Sequence, residues 1–353
     1  MAYQFVHKGV VREFDFHAPF AWHYWHERAF AEDGRSGLPL VVALHGGGQD
    51  LTNFMNTWDF YSLINVSDEN NWQDRFFVLY PYGFDSNTAF GALNLKRSWN
   101  VGFAGEYLPV QSDVSFIRAA IDALEEMLRH KLHGLGISRP AIDPDRRYVF
   151  GYSAGGMMAY KLAHEIPDYF GALWVMAGAY GGRAHEGLTA TVTNDPQGAS
   201  SVSLFAHHGE DDTVVPPGPR QDPTGRVQPD TAFEVTPGIV FDIYDEAGIP
   251  AGDAPIHNNA YRTLAAAVEE FRRYNDCEPE PVAPVSGSGK EDMIGGTDAR
   301  QYVFHQASGA VNPEVTVYRD GAMNHANYST ASKKYVDVTR IWNWFKDHPR
   351  MAL

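Results

Sequence analysis

The chain has 353 residues, 44% hydrophobic and 20% charged, with a formal net charge of -16. That length suits one large α/β domain with insertions, or two ordinary domains, and the composition excludes a disordered chain. The acidic balance argues against nucleic acid and anionic membranes as partners, and the single cysteine, Cys277, excludes an intramolecular disulfide and a thiolate metal cluster.

At the N-terminus, residues 1–8 lack the basic start and apolar core of a secretory signal, and no apolar run reaches bilayer length. This reads as a cytoplasmic chain as given, or a secreted one whose leader has been removed. Short β-rich runs then alternate with helical patterns, the signature of parallel strands joined by crossover helices. The first is the continuous apolar run 38–44, as expected where helices cover both faces of a sheet. It ends in Leu44-His45-Gly46-Gly47-Gly48-Gln49, whose glycines let backbone N–H groups face an approaching carbonyl oxygen. Gly47 is the candidate donor, and His45 reads as a residue that orients the loop. A phosphate-binding loop would need a following Lys-Ser/Thr, which is missing.

A second strand is expected over 76–80, followed by Trp99, a candidate for lining an acyl pocket or for the core. A helix follows, capped by Ser112 and ended by Gly134, with Phe116, Ile117, Ala120, Ile121, Leu124 and Leu128 as its apolar stripe. The strand at 147–150 runs into Gly151-Tyr152-Ser153-Ala154-Gly155 and then into another helix. G-x-S-x-G in a strand–turn–helix setting is a nucleophile elbow, in which small neighbours let a strained turn expose the serine. Ser153 is therefore the expected nucleophile, the Ala154 N–H the second oxyanion donor, and Tyr152 another residue for the pocket or the core.

In this layout the acid and then the base follow the serine in chain order. Strands are expected at 172–176 and 202–206, and the latter leads into His207-His208-Gly209-Glu210-Asp211-Asp212. Asp212 is preferred over Asp211 and Glu210 because it immediately precedes the Thr-Val-Val-Pro turn; the alternative is a metal site of His and carboxylate ligands. Segment 216–259, with eight Pro and five Gly, reads as an insertion within a single domain spanning 1–353, placed to cover the site as a lid. Helical patterns are expected through Tyr261, Leu264, Ala265, Val268 and Phe271, and through Tyr335, Val338, Ile341, Trp342 and Phe345. Between them lie a surface loop at 278–297 and a last strand at 315–318. The loop after that strand carries His325, the expected general base.

At these residues the chain resembles the esterase family that includes polyhydroxybutyrate depolymerases and feruloyl esterases, within the α/β-hydrolases. The resemblance is carried by 44–49, Ser98-Trp99-Asn100, 143–158, 209–216, Asn275-Asp276-Cys277 and the His325 loop. It implies an α/β-hydrolase fold, a mostly parallel sheet flanked by helices, and cofactor-free hydrolysis of small or oligomeric esters with an aromatic or hydroxyalkanoate acyl part. The chain departs from the family at Gly47, where relatives often carry Cys, and at Ala326-Asn327, where an aromatic residue is usual. The same triad would serve a peptidase or amidase, and the scaffold could serve as a non-catalytic binding protein.

Overall fold

The computed structural model describes residues 2–35, 37–65, 72–85, 97–101, 113–181, 202–209, 212, 215, 261–262, 264–278, 300–306, 313–320, 324–325 and 337–350. In chain order the elements are β1 (Tyr3–His7), β2 (Val10–His17), α1 (Trp22–Asp33), β3 (Leu38–Leu44), α2 (Leu51–Thr57), α3 (Phe60–Ile64), β4 (Phe77–Pro81), β5 (Phe84–Asp85), β6 (Arg97–Ser98), α4 (Asp113–Gly134), β7 (Ile142–Tyr152), α5 (Ala154–Glu165), β8 (Ala172–Met176), β9 (Tyr180–Gly181), β10 (Ser203–Gly209), β11 (Tyr261–Arg262), α6 (Leu264–Tyr274), β12 (Arg300–Phe304), β13 (Val315–Asp320) and α7 (Val338–Lys346).

A nine-stranded sheet in the order β1-β2-β4-β3-β7-β8-β10-β13-β12 organises the chain. Its centre, β4 to β13, is parallel, while β1, β2 and β12 pair antiparallel at the edges. The runs read as continuously apolar in the sequence do so because both faces are covered. In β3, Leu38, Leu40, Val42 and Leu44 enter one core with α1, α4, α5 and α6 residues, while Val41 and Ala43 enter another with α2, α3 and α7 residues. On α4 the expected stripe is buried, each large apolar side chain contributing about 2 kcal/mol.

The chain steps from β3 to β4 in one direction and then returns to place β7 on the other side of β3. In open α/β sheets, ligands bind at such a reversal, beyond the carboxyl ends of the strands, here β3 and β7. The 44–49 loop and Ser153 emerge there.

Helix α4 ends at Gly134 as expected, and the left-handed residue beyond it is Gly136 (φ 78°), whose N–H closes onto the His133 carbonyl. Two local expectations are corrected. Tyr261 lies outside α6, because it pairs with Gly181 in the short β9–β11 ladder. Strand β7 starts at Ile142, earlier than its apolar stretch, because Leu38 of β3 offers it a partner. Ser112, Tyr335, the proposed lid at 216–259 and residues 279–297 of the second loop lie outside the described residues. No helix among the described residues is long and apolar enough to cross a membrane.

Candidate active site

The turn between β7 and α5 holds Ser153 at φ 54° and ψ -120°, a conformation a non-glycine residue rarely occupies. Its N–H is anchored to the Met176 carbonyl of β8 at 2.9 Å. The strain persists because neighbouring backbones leave no room for an alternative. A Cβ on Gly151 would come within 2.3 Å of the Gly155 oxygen, and one on Gly155 within 2.1 Å of the Leu44 oxygen. The second contact brings the N-terminus of α5 against the carboxyl end of β3, so the elbow and the glycine loop share one wall.

From that elbow a hydrogen-bonded chain of three side chains runs across the sheet edge. Ser153 Oγ lies 3.0 Å from His325 Nε2, and His325 Nδ1 lies 2.8 Å from Asp212 Oδ2. An ionised carboxylate only accepts, so Nδ1–H donates to Asp212 and Nε2 is left to accept the serine hydroxyl proton. Asp212 is fully buried, and its Oδ1 accepts the Val215 N–H at 2.8 Å. The turn is tied from below by His208, whose Nε2 lies 2.6 Å from the Val215 carbonyl. Asp212 follows β10, and His325 follows β13. These strands are adjacent and parallel, so their carboxyl ends open on the same side. Serine, acid and histidine thus arrive in chain order from strands β7, β10 and β13 of a mostly parallel sheet. This is the α/β-hydrolase fold.

The glycine loop at 45–49 is held by backbone and side-chain bonds that commit all but one of its central donors. Gly46 N–H donates to Gln49 Oε1, Gly48 N–H to the Arg97 carbonyl, and Gln49 N–H to the Gly46 carbonyl. The Gly47 N–H makes no hydrogen bond to a described residue, and the Ala154 N–H lies at the start of α5. His45 lies beneath the loop: Nε2 accepts the Gly83 N–H at 2.9 Å, so Nδ1–H donates to the Gly46 carbonyl at 2.7 Å. Burial drives its pKa down to about 4, which keeps this neutral tautomer in place.

The two pocket candidates occupy bracing positions. Trp99 is 1% exposed and its indole N–H donates to the His45 carbonyl at 2.8 Å. Tyr152 is 7% exposed and its hydroxyl donates to the His325 carbonyl at 2.8 Å. Neither contact was legible in the sequence, because both partners are remote in the chain. Glu210 and Asp211, the other carboxylates considered, lie outside the described residues. Among the described residues no group of three His, Cys, Asp or Glu side chains is arranged to hold a metal ion.

No family model matches the chain. In sequence the chain is similar to "Putative esterase NocK" of Nocardia uniformis subsp. tsuyamanensis, at 40% identity over 67 residues, 19% of this chain and 16% of that protein. It is also similar to "Poly(3-hydroxyalkanoate) depolymerase C" of Paucimonas lemoignei, at 30% identity over 146 residues, 41% of this chain and 29% of that protein. The chain therefore spans less than a third of the length of these curated relatives. Among solved structures, a thermostable esterase aligns with 61% of this chain and 48% of its own at 21% identity and a TM-score of 0.37.

Proposed function

We propose that the protein is a serine hydrolase of carboxylic esters that works through an acyl-enzyme. The observation that carries this reading is the continuous chain from Ser153 Oγ through His325 to the buried Asp212 carboxylate, at 3.0 and 2.8 Å. His325 Nε2 takes the hydroxyl proton as Ser153 Oγ attacks the ester carbonyl, while Asp212 holds the tautomer and stabilises the imidazolium. The carbonyl oxygen, now an anion, is met by the Gly47 and Ala154 N–H groups, each donor of this kind being worth roughly 10²–10³ in rate. His325 then returns the proton to the departing alcohol, and water, deprotonated by the same nitrogen, releases the acid.

The named activities of the two sequence relatives favour an ester over an amide, and hydroxyalkanoate esters as the substrate class, with aromatic acyl esters as the other members of the screen. Covalent labelling by a fluorophosphonate together with hydrolysis of nitrophenyl butyrate tests the reaction. In Ser153→Ala, labelling disappears and kcat falls by roughly 10⁵-fold or more, with the fold intact. Turnover at the parent rate in that variant removes Ser153 as nucleophile, and with it the reading. A panel of hydroxybutyrate oligomers, feruloyl esters and peptide amides then ranks the substrate class by kcat/KM.

A further inference from the structure

Tyr152 occupies the variable position just before the nucleophile, where the local motif demands no particular side chain. Its hydroxyl donates to the backbone carbonyl of His325, 173 residues further along the chain, at 2.8 Å. The same ring is tilted over the imidazole, with centroids 5.6 Å apart. On its other side it lies against the glycine loop, since a Cβ on Gly46 would come within 3.0 Å of Tyr152 Cδ1 and 3.2 Å of Cε1. One side chain therefore touches the backbone that carries the general base and the backbone next to the oxyanion donor.

We propose that Tyr152 is a positioning residue that sets His325 against Ser153 and the Gly47 N–H by holding both loops from the elbow; the proposal rests on the serine-hydrolase reading. The physical logic is register. His325 sits five residues beyond the end of β13, so no ladder hydrogen bond fixes its height above the sheet. The Tyr152 backbone is fixed as the last residue of β7 by its pairing with Met176 of β8. A rigid two-torsion phenol from that anchor transfers the sheet's order to the histidine backbone, leaving the imidazole to make its own two bonds. Burial, with the Asp212 charge adding to it, pushes the phenol well above its ordinary pKa, so it remains a donor wherever His325 acts as a base. This role differs from lining the acyl pocket: it alters proton transfer for every substrate alike.

Tyr152→Phe removes the hydroxyl and keeps the ring. Steady-state rates of the whole chain, normalised to sites titrated by fluorophosphonate so that any misfolded fraction drops out, are compared for nitrophenyl acetate and a bulky feruloyl ester. The expected result is a kcat lower by about tenfold for both, the worth of one buried hydrogen bond spent on geometry, with KM unchanged. An unchanged kcat overturns the proposal. So does a loss confined to the bulky ester or appearing in KM, which would make Tyr152 a pocket wall. Ser153→Ala, run alongside, keeps the two ideas apart: turnover there sinks the serine-hydrolase reading itself, whereas a dead Ser153→Ala with a fully active Tyr152→Phe sinks only the role of Tyr152.

Discussion

Replacing Asp212 with Asn changes one atom and reverses the logic of the hydrogen-bonded chain. In the parent, the carboxylate accepts twice, from His325 Nδ1–H and from the Val215 N–H, each at 2.8 Å, in a fully buried position. An Asn carbonyl serves Val215 equally well, which leaves the amide NH₂ facing Nδ1. The imidazole then accepts at Nδ1 and carries its proton on Nε2, where it cannot receive the one from Ser153. The imidazolium formed during attack also loses its counter-charge. Removing this role from a Ser-His-Asp set costs about 10⁴-fold in kcat, roughly 5 kcal/mol of barrier. Nitrophenyl butyrate hydrolysis reads the rate, and a thermal melt shows that the Val215 turn survives. A folded Asp212→Asn enzyme within tenfold of the parent refutes the reasoning and returns Glu210 and Asp211 to consideration.

Other outcomes follow from the same geometry. His45 stays neutral to about pH 4 when folded but titrates near 6.5 when unfolded, so the unfolded chain binds more protons between those values. Stability thus falls as pH drops from about 6.5 to about 4, by about 3 kcal/mol from this group, and His45→Gln flattens urea-melt stability across that window. Burial opposes ionisation of Glu314, yet the hydrogen bond and charge of His348, with Thr316 and Trp344, hold its pKa down to about 2. Its contribution is present above about pH 4.5 and is lost as pH falls toward 2, so Glu314→Gln loses stability at neutral pH but little more on acidification. Gly155→Ala drives a methyl to 2.1 Å from the Leu44 oxygen and is expected to cost more than ~3 kcal/mol, or to prevent soluble expression, as a thermal melt shows. Trp99→Phe strips a donor from the buried His45 carbonyl, lowering stability by about 1–2 kcal/mol in the same melt.

The parts of this protein legible in its sequence are those whose cause is local. Continuous apolar runs announce strands covered on both faces, and the expected stripe of α4 is the buried one. The turn at Ser153 is written in three small residues within five positions. Chain order limited the acid and the base to two loops, but three adjacent carboxylates offered nearly the same local chemistry. Which one meets His325 depends on how far past β10 the chain travels before the Val215 turn closes; the fold brings Asp212 to 2.8 Å. Tyr261 falls outside its expected helix because helical periodicity is a weaker constraint than a partner strand across the fold. The roles of Tyr152 and Trp99 were undecidable from sequence, since a buried aromatic reads the same whether it fills space or carries a hydrogen bond. Sequence determined the strand–elbow–helix unit, because its constraints act within a few bonds. The tertiary structure alone decided what lies opposite it, because the stacking of β3, β7, β8, β10 and β13 places residues more than a hundred positions apart within hydrogen-bond reach.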